Sequence, residues 1–219
     1  MRRKATCAAA AMVALPLFAP AVALAAPPQG PVEVQLTPLN GTAGFGRATL
    51  TPTPDGGLRV QTSTNGLVPN QPHAAHLHGM LDGSDFTCPT PQADTNGDGF
   101  ISTPEGLPPY GPIMISLTTS GDTSMDSGLT LDRFPIADPT GTVTYDRTIP
   151  ASELPAGTIE NLENLVVVQH GIDVDGNGQY NLNSPLGESQ FAASMGKNQV
   201  PAEATFPANC GTAAGSSTT

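Results

Sequence analysis

The chain holds four histidines, and three of them, His73, His76 and His78, stand in the run HAAHLHG. The fourth, His170, follows the apolar run Leu165 to Gln169. Imidazole nitrogen suits copper, zinc, iron and nickel. If Ala74 to His78 is a strand, its two-residue period puts His76 and His78 on one face, with Ala75 and Leu77 on the other. Two rings about 7 Å apart along a strand can converge on one ion through different ring nitrogens. A third ligand must then arrive from another strand, and His170 is the candidate. His73 has the opposite parity to His76. The competing reading is a polar sheet rim, with the histidines held in hydrogen bonds or water.

A second chemistry is written in oxygen. The run DTNGDGFISTPE, from Asp94 to Glu105, follows the calcium-loop spacing over its full length. Asp94, Asn96 and Asp98 take positions 1, 3 and 5, and Gly99 takes the tight turn at 6. Phe100 offers its carbonyl at 7, Ser102 can hold a water at 9, and Glu105 is the bidentate ligand at 12. Cys88-Pro89-Thr90-Pro91 before it and Leu107-Pro108-Pro109 after it argue against the long flanking helices of an EF-hand. The expectation is a calcium loop set between strands. A weaker copy follows His170, with Asp173, Asp175 and Asn177 at positions 1, 3 and 5. Its position 12 is Ser184, and Glu188 falls four residues late, so a solvated turn competes with a calcium site. Asp173 is also near enough in sequence to His170 to orient its imidazole.

The elements that must hold these groups are short. Arg2, Arg3 and Lys4 precede an apolar run ending at Ala23-Leu24-Ala25, the pattern of an export signal over residues 1–25. Removing it takes away three of eight basic residues and none of nineteen acidic ones, so the formal charge moves from −11 to −14. That balance excludes nucleic acid and anionic membranes as natural partners and favours cations. No later stretch is apolar enough to span a membrane. Cys88 and Cys210 then form an even pair in an oxidising compartment, which suggests a disulfide, with two separate buried thiols as the alternative.

Alternating runs over Val32–Leu36, Arg47–Thr53, Leu58–Thr62, Ala74–His78, Ile113–Thr118, Thr142–Thr148 and Leu165–Gln169 read as strands. Residues 151–154 and 186–195 could hold helical turns. About seven short strands with Gly/Pro turns argue for one all-β domain, a sandwich or barrel, over residues 26–210. Residues 211–219 read as a frayed tail.

With these motifs in place, the chain resembles the copper/zinc superoxide dismutase domain, and more loosely the CHRD domains, over roughly Pro31 to Gly211. HAAHLHG is similar to that family's first metal-binding strand, with His76 and His78 as copper ligands and His73 as a nearby non-ligand. The run ending in His170 is similar to the strand that supplies another copper ligand. Cys88 and Cys210 match the family's disulfide positions. The resemblance implies a Greek-key β-sandwich or flattened barrel with long loops and copper at its mouth.

The departures are specific. No histidine lies between His78 and His170, so the bridging and zinc histidines are missing and a zinc site is not available. Pro207 stands where the enzymes carry an anion-guiding arginine. The expected function is a secreted, calcium-stabilised domain that binds copper and is not catalytic. The alternative is a copper-dependent superoxide dismutase, making oxygen and hydrogen peroxide from superoxide.

Overall fold

The computed structural model describes residues 30–213. Eight strands dominate it: β1 (Val32–Pro38), β2 (Phe45–Pro52), β3 (Leu58–Asn65), β4 (Ala75–His78), β5 (Ile113–Ser116), β6 (Val143–Ile149), β7 (Val166–His170) and β8 (Pro207–Thr212). Every pairing between them is antiparallel, in the order β5-β4-β7-β8-β1-β2-β3-β6. The protein is all-β, a curled half-barrel.

Local sequence explains one half. Val32, Val34 and Leu36 alternate with exposed residues in β1, and Leu58, Val60 and Thr62 alternate with exposed or half-buried ones in β3. The two-residue period therefore gives one inner face. The other half closes onto it. Ala75, Leu77, Ile115 and Val167 join Val34, Leu50 and Val60 in one buried cluster. Each fully buried Leu or Val side chain there contributes about 1.5–3 kcal/mol relative to exposure.

The halves meet at a narrow seam. β1 pairs with β8 only through Thr37↔Cys210 and Pro38↔Asn209, beside a bridge from Val34 to Ala213. The backbones approach so closely that a Cβ on Gly211 would stand 2.3 Å from the Gln35 carbonyl oxygen. β8 has no apolar alternation, and sequence reading does not find it. It reaches Thr212, so Gly211 and Thr212 pair with Val167 and Val166 rather than beginning a tail. The export signal expected over residues 1–25 lies outside the described residues, as do residues 214–219.

Cys88 and Cys210 are bonded, across a sequence separation of 122. The chain-entropy model gives a closure this long about 4–5 kcal/mol. It ties the segment after β4 to β8. Among the described residues no helix is long and apolar enough to cross a membrane.

Two short helices cover the outer face, α1 (Thr103–Tyr110) and α2 (Gln190–Ser194). The prolines after the first acidic loop argued against a long helix there, and α1 runs for only eight residues. A capping box between Ser102 and Glu105 starts it, and Gly111, at φ 79°, ends it. Pro108 and Pro109 bring no N–H with which to lengthen the ladder.

Candidate metal centre

β4 turns Ala75 and Leu77 into the core and His76 and His78 to the opposite, outer face. β7 lies beside it, pairing Val168 with His76. A register shift between Gln169 and His170, with the His170 N–H donated to the Ala74 carbonyl, brings the third ring alongside. Ring centroids stand 5.4 Å apart for His76 and His78, 5.1 Å for His76 and His170, and 6.1 Å for His78 and His170. One nitrogen from each ring lies within 4.8 Å of the others. All three residues are buried.

Backbone carbonyls set the tautomers. His78 Nδ1 donates to the Gly111 oxygen at 2.8 Å, and His170 Nδ1 to that of Thr205 at 2.5 Å. His76 Nε2 donates to the Gly128 oxygen at 3.1 Å. A carbonyl only accepts, so each of these nitrogens carries the hydrogen and the other keeps a lone pair. Those remaining atoms, His76 Nδ1, His78 Nε2 and His170 Nε2, are buried without a hydrogen-bond partner. An unmade hydrogen bond at a buried polar atom costs about 1–3 kcal/mol. Burial pushes His78 down to about 3 and His170 down to about 4. Burial, then the neighbouring His170 and His78, holds His76 well below its ordinary value. The three rings are therefore neutral near pH 7, as metal ligation requires.

His73 stands apart from this group. Its ring nitrogens lie 2.8 Å from the His170 carbonyl oxygen and 3.0 Å from that of Val68, with the Tyr180 hydroxyl 3.2 Å from Nδ1. It braces the backbone of a triad residue. Asp173 does not orient the His170 imidazole. That role belongs to the Thr205 carbonyl, because the Asp173 carboxylate is taken by the amides of Gly176, Asn177 and Gly178.

The two acidic loops are folded alike. Asp94 accepts from the amides of Gly97, Asp98 and Gly99, as Asp173 does in the second loop. Asn96 Nδ2 donates to Asp98, and Asn177 Nδ2 to Asp175. They differ in the closing carboxylate. Glu105 accepts from the amides of Thr95, Asn96 and Ser102, and Asp94, Asp98 and Glu105 do not gather as a three-carboxylate group. Asp173 and Asp175 do gather, with Glu203. Glu203 is fully buried and accepts from the Val174 and Asn181 amides at 3.0 and 2.9 Å. Sequence reasoning missed it. Its only signal is a lone carboxylate in the otherwise uncharged run Pro201 to Phe206.

Beside the three histidines lies a small cavity of about 20 Å³, walled by Leu107, Ile113, Leu129, Leu131 and Phe191. That is room for about one water-sized group.

No protein-family model matches the chain, and no curated protein matches it. Among solved structures, the chain is similar to a double mutant of a SOD-like protein from Bacillus subtilis. The TM-score is 0.42 and the identity 18%, and the alignment covers 84% of this chain and 97% of that one.

Proposed function

We propose that this protein is an exported domain that binds copper at His76, His78 and His170, is stabilised by calcium at its acidic loops, and works by holding metal rather than by catalysis. One observation carries the copper reading: three buried, neutral imidazoles, each pinned by a carbonyl, leave three unpartnered lone pairs side by side. Such atoms are costly to bury unless something accepts them. Copper suits an all-imidazole set and outranks the other first-row divalent ions in affinity. No carboxylate belongs to the triad group. An apolar site with neutral ligands favours the ion of lower charge, which is Cu(I).

When bound, copper would supply a one-electron couple. The chain's own part is to fix the ligand nitrogens, keep protons off them and exclude bulk water with Leu129 and Phe191. Calcium at the first loop would take oxygens from Asp94, Asn96, Asp98, the Phe100 carbonyl, Ser102 through water, and Glu105. At the second loop, Glu203 offers Asp173, Asp175 and Asn177 the carboxylate that position 12 lacks.

The second reading, a copper-dependent superoxide dismutase, draws on one feature. The triad cavity shares Leu107, Ile113, Gly128, Leu129 and Phe191 with a larger surface pocket. Metal analysis of the copper-loaded protein, with electron paramagnetic resonance after oxidation to the Cu(II) form because Cu(I) is diamagnetic, tests both. One copper per chain with nitrogen coordination is expected in the wild type. His170→Ala should lose more than about 100-fold in affinity, beyond the 10–100-fold typical of outer-shell losses. An unchanged spectrum in that variant would rule out the site. Superoxide turnover by the loaded wild type would replace the non-catalytic reading with the second one.

A further inference from the structure

Two exposed methionines at the surface pocket have no part in the reading above. Met125 and Met195 are each 52% exposed, whereas methionine is usually buried. Both line the same pocket of about 380 Å³. Each adjoins a short element that leads to a residue lining the triad cavity. Met125 opens a 3-10 turn, Met125–Ser127, and the next residue, Gly128, gives its carbonyl to His76. Met195 closes α2, and Phe191 of that helix walls both the pocket and the cavity. The charged groups at the pocket are Asp126 and Lys197, of opposite sign. Thioether sulfur is a soft ligand that selects Cu(I), whereas carboxylate and carbonyl oxygens suit Mg, Ca and Mn.

We propose that Met125 and Met195 form a capture site for Cu(I), from which the ion passes between Leu129 and Phe191 to the three histidines. The proposal rests on the copper reading of the triad. The step is ligand exchange: sulfur–copper bonds break and nitrogen–copper bonds form. Copper stays monovalent throughout and arrives from an external Cu(I) complex, and the neutral rings release no proton.

Methionine methyl groups labelled with carbon-13 report the capture directly. Silver(I), a redox-silent soft monovalent ion, serves as the probe. The Met125 and Met195 methyl resonances should move together, before that of Met80, which is exposed but lies outside the pocket. The response should persist in His170→Ala. The double variant Met125→Leu/Met195→Leu keeps side-chain volume. It should reach the same copper content as the wild type but load from a Cu(I) complex roughly tenfold more slowly, the rate equivalent of about 1.4 kcal/mol. Loading from a Cu(II) salt should be unchanged. Equal movement of Met80, no movement at all, or unaltered Cu(I) loading in the double variant would each overturn the proposal. Failure of the triad reading shows itself differently, as a wild type that retains no copper at equilibrium, and would remove the destination as well.

Discussion

The histidine end of the sheet and the two acidic loops handle their polar atoms in opposite ways. In the loops, Asp94 and Asp173 are each satisfied by three backbone amides of their own turn. The loops therefore hold their shape from local hydrogen bonds. At the histidines the backbone satisfies one nitrogen of each ring and leaves its partner buried and bare. That arrangement costs stability unless an ion completes it. The difference separates a site whose shape is made by its own turn from one whose need for a ligand is built into the fold. A narrower contrast lies between the loops themselves: Glu105 is supplied locally, and Glu203 comes from 30 residues beyond Asp173.

Acid should separate the two regions most strongly. The folded values for His78 and His170, about 3 and about 4, lie below the ordinary 6.5. The unfolded chain therefore takes up protons first. The histidine contribution is intact above pH 6.5 and is lost as pH falls towards 4 for His170 and towards 3 for His78, at up to about 1.4 kcal/mol per histidine per pH unit. Burial raises the Glu105 carboxyl, but hydrogen bonds from Ser102, Asn96 and Thr95 outweigh it and hold the group at about 2. Its contribution is intact above pH 4.5 and is lost as pH falls towards 2. Denaturant midpoints of copper-free protein should thus fall in two stages. A single loss confined below pH 4.5 would break the comparison.

Removing the disulfide comes next. Cys210 packs with Tyr110, Val166 and Val168, and the Tyr110 ring lies 4.5 Å from that of His78. Cys88→Ser with Cys210→Ser should cost about 2–5 kcal/mol. Copper affinity should weaken with it, while the rise in Tm on adding calcium persists. Calorimetry showing that the calcium response disappears as well would join the two regions into one unit.

The smallest effects distinguish the loops. Without calcium, Glu203→Gln should cost about 1–3 kcal/mol, because it turns an amide N–H towards buried donors. Glu105→Gln turns an amide N–H towards donors too, but its contacts to Thr95 and Asn96 are solvent-exposed, so water can take them over and the loss should be smaller, about 1 kcal/mol or less. Both should reduce the stabilisation that calcium gives through preferential binding to the folded state. Equal destabilisation of the two variants in chelator would show that Glu203 is no more structural than Glu105.

Much of the site was legible because its signals are periodic or local. Strand parity put His76 and His78 on one face and Ala75 and Leu77 on the other, and the structure has them so. The Asp/Asn/Gly spacing gave both loops their turns. Beyond this, β8 was hidden because its run of Pro, Ala, Asn, Cys and Gly is buried on both sides and has no alternation to read. The end of α1 depended on how far a capping box could carry a proline-rich segment.

The sequence alone determined which imidazoles share a strand face and how the acidic turns close. The tertiary structure decided which lone pair each imidazole presents. The deciding carbonyls, Gly111, Gly128 and Thr205, lie 33, 52 and 35 residues from the rings they hold. It also brought Glu203 to Asp173 and Asp175. Periodicity and turn propensity act over a few residues, whereas the partner of a buried polar atom is fixed only when distant segments pack against it.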